Sequence, residues 1–210
     1  GSHFLKEYGM TVNQIKKDGY KITAKIIMIP KIDSKFETTK IFAETIIEFS
    51  KIFKKLKPDI NVILGDRDEM FASAIAAYHM NISNAHIHGG DKSGGLDEYT
   101  RHAITKLSNI HFAATKNSAN RILKMGEKPQ VIFHTGSPSI DEITKNKITK
   151  ITELKEKYGA EIMDNKILLV QHPVTTEIDE TENQINETLK AIIKLQKKTI
   201  IIGTNLDPGN

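Results

Sequence analysis

Residues 60–95 read INVILGDRDEMFASAIAAYHMNISNAHIHGGDKSGG, and this stretch decides the fold. Ile60–Leu64 is a short apolar run, the form a strand takes when it is buried in a parallel sheet. Asp68–His79 is rich in alanine and reads as a helix. Residues 84–88 read as a second strand and lead into the glycine-rich loop 89–95. Strand, helix and strand at this spacing form a βα unit. Such units lay successive strands parallel, with right-handed crossovers.

The alternation continues in both directions. Upstream, residues 21–29 read as a strand and 38–56 as a helix, with Phe42, Ile46, Phe49, Phe53 and Leu56 at helical spacing. Pro58-Asp59 closes that helix. Downstream, 97–108 and 118–125 read as helices, and 110–114 and 131–135 as strands. Residues 140–159 are lysine-rich and helical, a bridge to a second domain. Then 166–170 reads as a strand, 180–196 as a helix and 199–202 as a strand. The expected fold class is α/β, with a doubly wound parallel sheet. The expected division is 1–146 as an N-terminal domain, then 147–210 as the bridge and the beginning of a C-terminal domain. Two strands and one crossover helix cannot cover both faces of a parallel sheet, so the second domain is expected to be incomplete. Gly1-Ser2-His3 reads either as a vector remnant or as a native loop whose preceding strand is missing.

Composition narrows the function. The 210 residues are 39% hydrophobic and 27% charged, the mix of a globular chain. No run approaches the ~18 apolar residues of a spanning helix, and nothing resembles a signal peptide. Cysteine is absent, which excludes disulfides, zinc ribbons and thiol catalysis and fits a cytoplasmic location. The net charge of +4 comes from interspersed groups, aromatics are 6% and tryptophan is absent. A basic groove with stacking platforms for nucleic acid is therefore not expected. The chain has no Walker lysine motif, no Gly-x-Gly-x-x-Gly after a strand and no Gly-x-Ser-x-Gly.

Ligands of open α/β sheets bind at the carboxyl ends of the strands, so the residues just past each strand are the candidates. Asp66 follows the first strand quoted, as a ligand-edge carboxylate or as a helix cap. His86 and His88, two apart on a strand, are expected to face the same side. They read as acid/base groups, as metal ligands with Asp91 as a third, or as satisfied structural histidines. Asp97, Glu98 and Arg101 open the next helix, where Arg101 can pair with either carboxylate or bind an anion. Gly136-Ser137-Pro138 follows the strand at 131–135, and His172 follows the strand at 166–170.

Gly65-Asp66-Arg67, His86-Ile87-His88-Gly89-Gly90-Asp91, Leu96-Asp97-Glu98, and Arg101-His102-Ala103-Ile104-Thr105-Lys106-Leu107-Ser108 form one set with Gly136-Ser137-Pro138, Gln171-His172-Pro173-Val174-Thr175-Thr176 and Asn205-Leu206-Asp207-Pro208-Gly209. Together with Gly1-Ser2-His3 they resemble the UDP-N-acetylglucosamine 2-epimerase family. The resemblance is to its hydrolysing branch, which makes N-acetylmannosamine for sialic-acid-type sugars.

The resemblance implies two Rossmann-like domains of the glycosyltransferase-B type with the active site between them. It also implies that this chain is a piece lacking the first strand and most of the second domain. The implied reaction expels UDP by elimination across C1–C2 and hydrates the glycal to N-acetylmannosamine. The implied catalytic residues are Asp66, His88, Asp97, Glu98 and His172. Those implied to bind or orient substrate are His3, His86, Arg101, Gly136, Ser137, Asn205 and Asp207. No metal and no cofactor are implied. The implied partner is a nucleotide sugar, with neither nucleic acid nor membrane, and a homo-oligomer is left open. Many relatives carry glutamate where this chain has His88. A metal-dependent hydrolase using His86, His88 and Asp91 and a catalytically inactive nucleotide-sugar-binding fragment stand as alternatives.

Overall fold

In the computed structural model the described residues are 2–6, 9–28, 34–145, 148–159, 167–174 and 177–203. The chain divides into two compact units, Gly1–Pro138 and Ser139–Asn210. The domain change expected at 146/147 falls outside the described residues.

The first unit opens with a short helical turn at Ser2–Phe4 and the helix α1 (Val12–Lys17), followed by α2 (Lys35–Leu56). Ser34 starts α2 because its hydroxyl accepts the Glu37 N–H at 3.1 Å, meeting one of the donors that a helix start leaves open. The sheet follows as β1 (Ile60–Leu64), β2 (Ser83–Ile87), β3 (Ile110–Ala113) and β4 (Ile132–His134). Its crossovers are α3 (Asp68–His79), α4 (Leu96–Lys106) and α5 (Lys116–Lys124). All strands are parallel, and their order across the sheet is β1-β2-β3-β4. The expected parallel α/β architecture is present.

Strand periodicity sorts the side chains. Ile63, His86 and His111 are in register, as neighbours across the sheet, and all are 0% exposed. Ile63 packs with Ala74 of α3 and Ile104 of α4. On α3, Ala76 and Ala77 pack with Phe53 of α2, joined by Ile46, Phe49, Met80 and Ile82. Alanines along α3 keep that helix thin enough to lie close to both the sheet and α2. Asn84, buried with this core, is fully engaged: it donates to the Ala74 and Leu107 carbonyls and accepts from Asn61. The other residues of β1, Ile60, Val62 and Leu64, are exposed.

One expected element is absent. Residues 21–28 form no strand, and among the described residues no strand pairs with them. Their β-rich composition lacks the neighbouring ladder that makes a strand, since a strand's backbone groups must find partners. Ile29 lies outside the described residues.

The second unit holds α6 (Pro138–Lys145), α7 (Ile151–Tyr158), β5 (Ile167–Leu169), α8 (Thr181–Leu195) and β6 (Thr199–Ile201). The lysine-rich stretch read as a single helical bridge contains these two short helices. β5 and β6 pair in parallel through the α8 crossover.

Candidate active site

The carboxyl edge of the first sheet is built one rung beyond each strand. Gly65 donates its N–H to the Ile87 carbonyl at 3.0 Å, His88 to Phe112 at 3.0 Å, and Thr135 to Ala113 at 3.1 Å. These bonds extend the ladder just far enough to set Asp66, His88 and the Gly136-Ser137 turn along one edge. Gly65 and Gly136 sit at φ 77° and 83°, the left-handed region that glycine enters freely.

Asp66 is an ion-pair partner rather than a simple helix cap. Its Oδ2 accepts from the Arg101 guanidinium. Arg101 is 8% exposed and also donates to the Asp91 carbonyl at 2.8 Å and the Ser93 hydroxyl at 3.1 Å. Its terminal nitrogens clamp the loop after β2 and orient Asp66. The planar, multi-donor guanidinium suits such a clamp, as a lysine would not.

His88 sits at φ 65°, uncommon for a residue with a side chain and found preferentially at functional turns. Its Nδ1 lies 3.0 Å from Asp91 Oδ2 and its Nε2 3.1 Å from the Ser137 hydroxyl. The Ser118 hydroxyl donates to the other oxygen of Asp91. Gly89 and Gly90 make this close approach possible. A Cβ on Gly89 would come within 2.9 Å of the His86 ring, and one on Gly90 within 2.4 Å of the Ser118 carbonyl.

His86 and His88 do not share a face as their spacing suggests. β2 ends at Ile87, and the left-handed turn swings His88 out of the alternation. His86 is 0% exposed, with Nε2 2.8 Å from the Gly65 carbonyl and Nδ1 3.2 Å from the Thr105 hydroxyl. Burial depresses it to about 4, outweighing the opposing pull of the Gly65 carbonyl. In this arrangement His86 is a neutral internal strut under the Gly65 turn. The donor set His86, His88 and Asp91 is split accordingly. Among the described residues no group of three or more acidic or histidine side chains is placed to hold a metal ion.

Asp97 and Glu98 lie in the first turn of α4, as expected. Glu98 folds back to accept the Ser93 N–H at 2.9 Å and stands 3.7 Å from His102. Asp68, at the start of α3, attracted no attention in the sequence. Partial burial first, then Glu69 and Asp97, push its carboxyl above the usual range. His3 is exposed and bonded to Thr11 at 2.7 Å. His172 is exposed in the second unit, just past β5. Asn205 and Asp207 lie outside the described residues. Sequence reasoning also passed over Ser118 and Thr105, whose contacts join α5 and α4 to the site.

No helix among the described residues is long and apolar enough to cross a membrane. The family profile described as UDP-N-acetylglucosamine 2-epimerase matches residues 1–209. The chain is 39% identical over its whole length to a Legionella pneumophila protein named UDP-N,N'-diacetylbacillosamine 2-epimerase (hydrolyzing), of which it covers 55%. It is 33% identical to Escherichia coli polysialic acid biosynthesis protein P7, covering all of this chain and 54% of that protein. It thus spans about half the length of the curated relatives it matches. Among solved structures, Neisseria meningitidis UDP-GlcNAc 2-epimerase bound to UDP-GlcNAc superposes with a TM-score of 0.80 at 22% identity, over 95% of this chain and 56% of that one. That likeness supports the α/β, glycosyltransferase-B type of fold. With the profile spanning nearly every residue, the chain belongs to the UDP-N-acetylglucosamine 2-epimerase family.

Proposed function

We propose that the protein carrying this chain is a hydrolysing UDP-N-acetylglucosamine 2-epimerase, acting in the cytoplasm on the route to sialic-acid-type sugars. The observation that carries the reading is the convergence on one sheet edge of Asp66, clamped by Arg101, and His88, flanked by Asp91 and Ser137. The C2 proton of the sugar is a weak acid, so its removal needs a positioned base. The base takes that proton, the C1–C2 double bond forms, and the C1–O bond breaks as UDP leaves with the oxygen. Water then gives its hydroxyl to C1 and a proton returns to C2 from the opposite face, yielding N-acetylmannosamine.

Asp66 or the Asp97–Glu98 pair serves as the base, and His88 and His172 shuttle protons. His3, Gly136, Ser137, Asn205 and Asp207 contact the substrate. A second substrate has specific support. The relative at 39% identity is named for UDP-N,N'-diacetylbacillosamine, and one from Campylobacter jejuni at 32% for its GDP or UDP form. The test incubates the purified protein with each of these nucleotide sugars in D2O and follows nucleotide release and the product by NMR. The expected product has the manno configuration and deuterium at C2. Nucleotide release with retention of the gluco configuration, or no release from any of these sugars, would sink the reading. Asp66→Asn is expected to lower turnover by about 10²-fold or more with folding intact.

A further inference from the structure

The proposed function leaves Asp91 and Ser118 without a role, yet both are tied to the most unusual residue of the site. Ser118 is 3% exposed on α5. Its hydroxyl lies 2.6 Å from that of Thr115, and Thr115 also caps α5 by accepting the Ser118 N–H at 3.0 Å. Because the Ser118 hydroxyl hydrogen goes to Asp91, the hydrogen between the two hydroxyls belongs to Thr115. Hydrogen bonding thus runs one way, from Thr115 to Ser118 to Asp91 Oδ1. Asp91 Oδ2 faces His88 Nδ1 at 3.0 Å, and His88 Nε2 faces Ser137 at 3.1 Å.

Burial works against the charge on Asp91. The bonds from Ser118 and His88, with the charges of His88 and Arg101, outweigh it and hold the carboxyl below the usual carboxylate range. An ionised carboxylate only accepts hydrogen bonds, so the proton between Asp91 and His88 resides on Nδ1. The other nitrogen is then bare in the neutral ring and accepts from the Ser137 hydroxyl. Serine, imidazole and carboxylate stand in the order that makes an imidazole a base at one chosen nitrogen.

We propose that Asp91, anchored by Ser118 and Thr115, is a positioning residue that fixes His88 in the Nδ1–H tautomer and aims a bare Nε2, through the Ser137 hydroxyl, at the reacting proton. The proposal rests on the epimerase reading for the identity of that proton, but the tautomer is measurable without turnover.

The test is long-range nitrogen–proton NMR of the His88 ring in the 210-residue chain. At neutral pH the parent is expected to show the Nδ1–H form over the Nε2–H form by about tenfold or more, the scale of a hydrogen bond to a charged group. In Asp91→Asn, Ser118 keeps the amide oxygen as its acceptor and the amide NH2 is turned toward Nδ1. The His88 tautomer is then expected to invert to Nε2–H. Removing the anchor in Asp91→Asn with Ser118→Ala lets the amide flip and is expected to restore Nδ1–H. Asp91 as a packing residue would give neither the inversion nor its rescue. A parent ring with a bare Nδ1 overturns the proposal without any variant, as does an Asp91→Asn ring that keeps the parent tautomer. If the tautomers behave as described while no nucleotide sugar is turned over, the relay stands and the epimerase reading falls.

Discussion

The two units differ in what they bury. In the first, α3 packs against β1 and β2 of a four-stranded sheet and against α2 and α4, and Ile63, Ala74, Ile104 and Ile122 are 0% exposed. In the second, two three-residue strands carry a single crossover helix, and no described residue is buried. The apolar residues differ little in kind: Ile193 on α8 is 73% exposed and Leu168 on β5 is 64% exposed. What separates the units is layering. An isoleucine is buried only when a second and third element close over it, and two strands with one helix supply too few.

Native-state hydrogen exchange tests this contrast most strongly. Amides of Ala85, His86 and Phe112 are expected to exchange at least ~10³-fold more slowly than those of Leu168 and Ile200, because local opening of the thin sheet exposes little apolar surface. Equal protection would show that the second sheet is stabilised by something other than its own layers. Next in size is a pair of truncations. Ile104→Ala should destabilise the first unit by about 3 kcal/mol through lost burial and the cavity left behind, whereas Ile193→Ala should change stability by less than about 0.5 kcal/mol. Thermal or denaturant unfolding of both variants reads this directly, and comparable losses would break the distinction.

The smallest effect is a pH dependence confined to the first unit. His86 in the unfolded chain titrates near 6.5, but in the fold only at about 4. Between those values the unfolded state holds more protons, so stability falls as pH falls. The loss from neutral pH to pH 5 is about 2 kcal/mol. His111, also lowered chiefly by burial, acts in the same direction. Urea midpoints across this range, compared with those of His86→Gln, measure the His86 share; an unchanged slope in the variant would reassign it.

The same layering explains what could be read from the letters. Asp68–His79 was legible to the residue because an alanine-rich run flanked by turn residues carries its own signal. The place of Asp66 just past its strand was legible as well, from the apolar run at 60–64; the left-handed turn that takes His88 out of the β2 alternation was not. Of the strand expected at 21–29, the described residues 21–28 form none, because pairing is not a property of one segment. The burial of the His86 ring was not legible, because its partners, the Gly65 carbonyl and Thr105, lie 21 and 19 positions away. The pairing of Arg101 with Asp66 was hidden for the same reason: Asp66 is 35 residues distant in sequence. Spacing shows which residues share a strand or helix face, but not which loop folds back over them.

The β1-β2-β3-β4 order has a kinetic consequence. Each new strand pairs with the one made just before it, through a crossover helix already synthesised. Among these described strands loop-closure entropy is met in short instalments, which spares their parallel pairing much of its usual slowness. β3 and β4 can therefore add to the β1–β2 pair in the direction of translation, while the ribosome is still working.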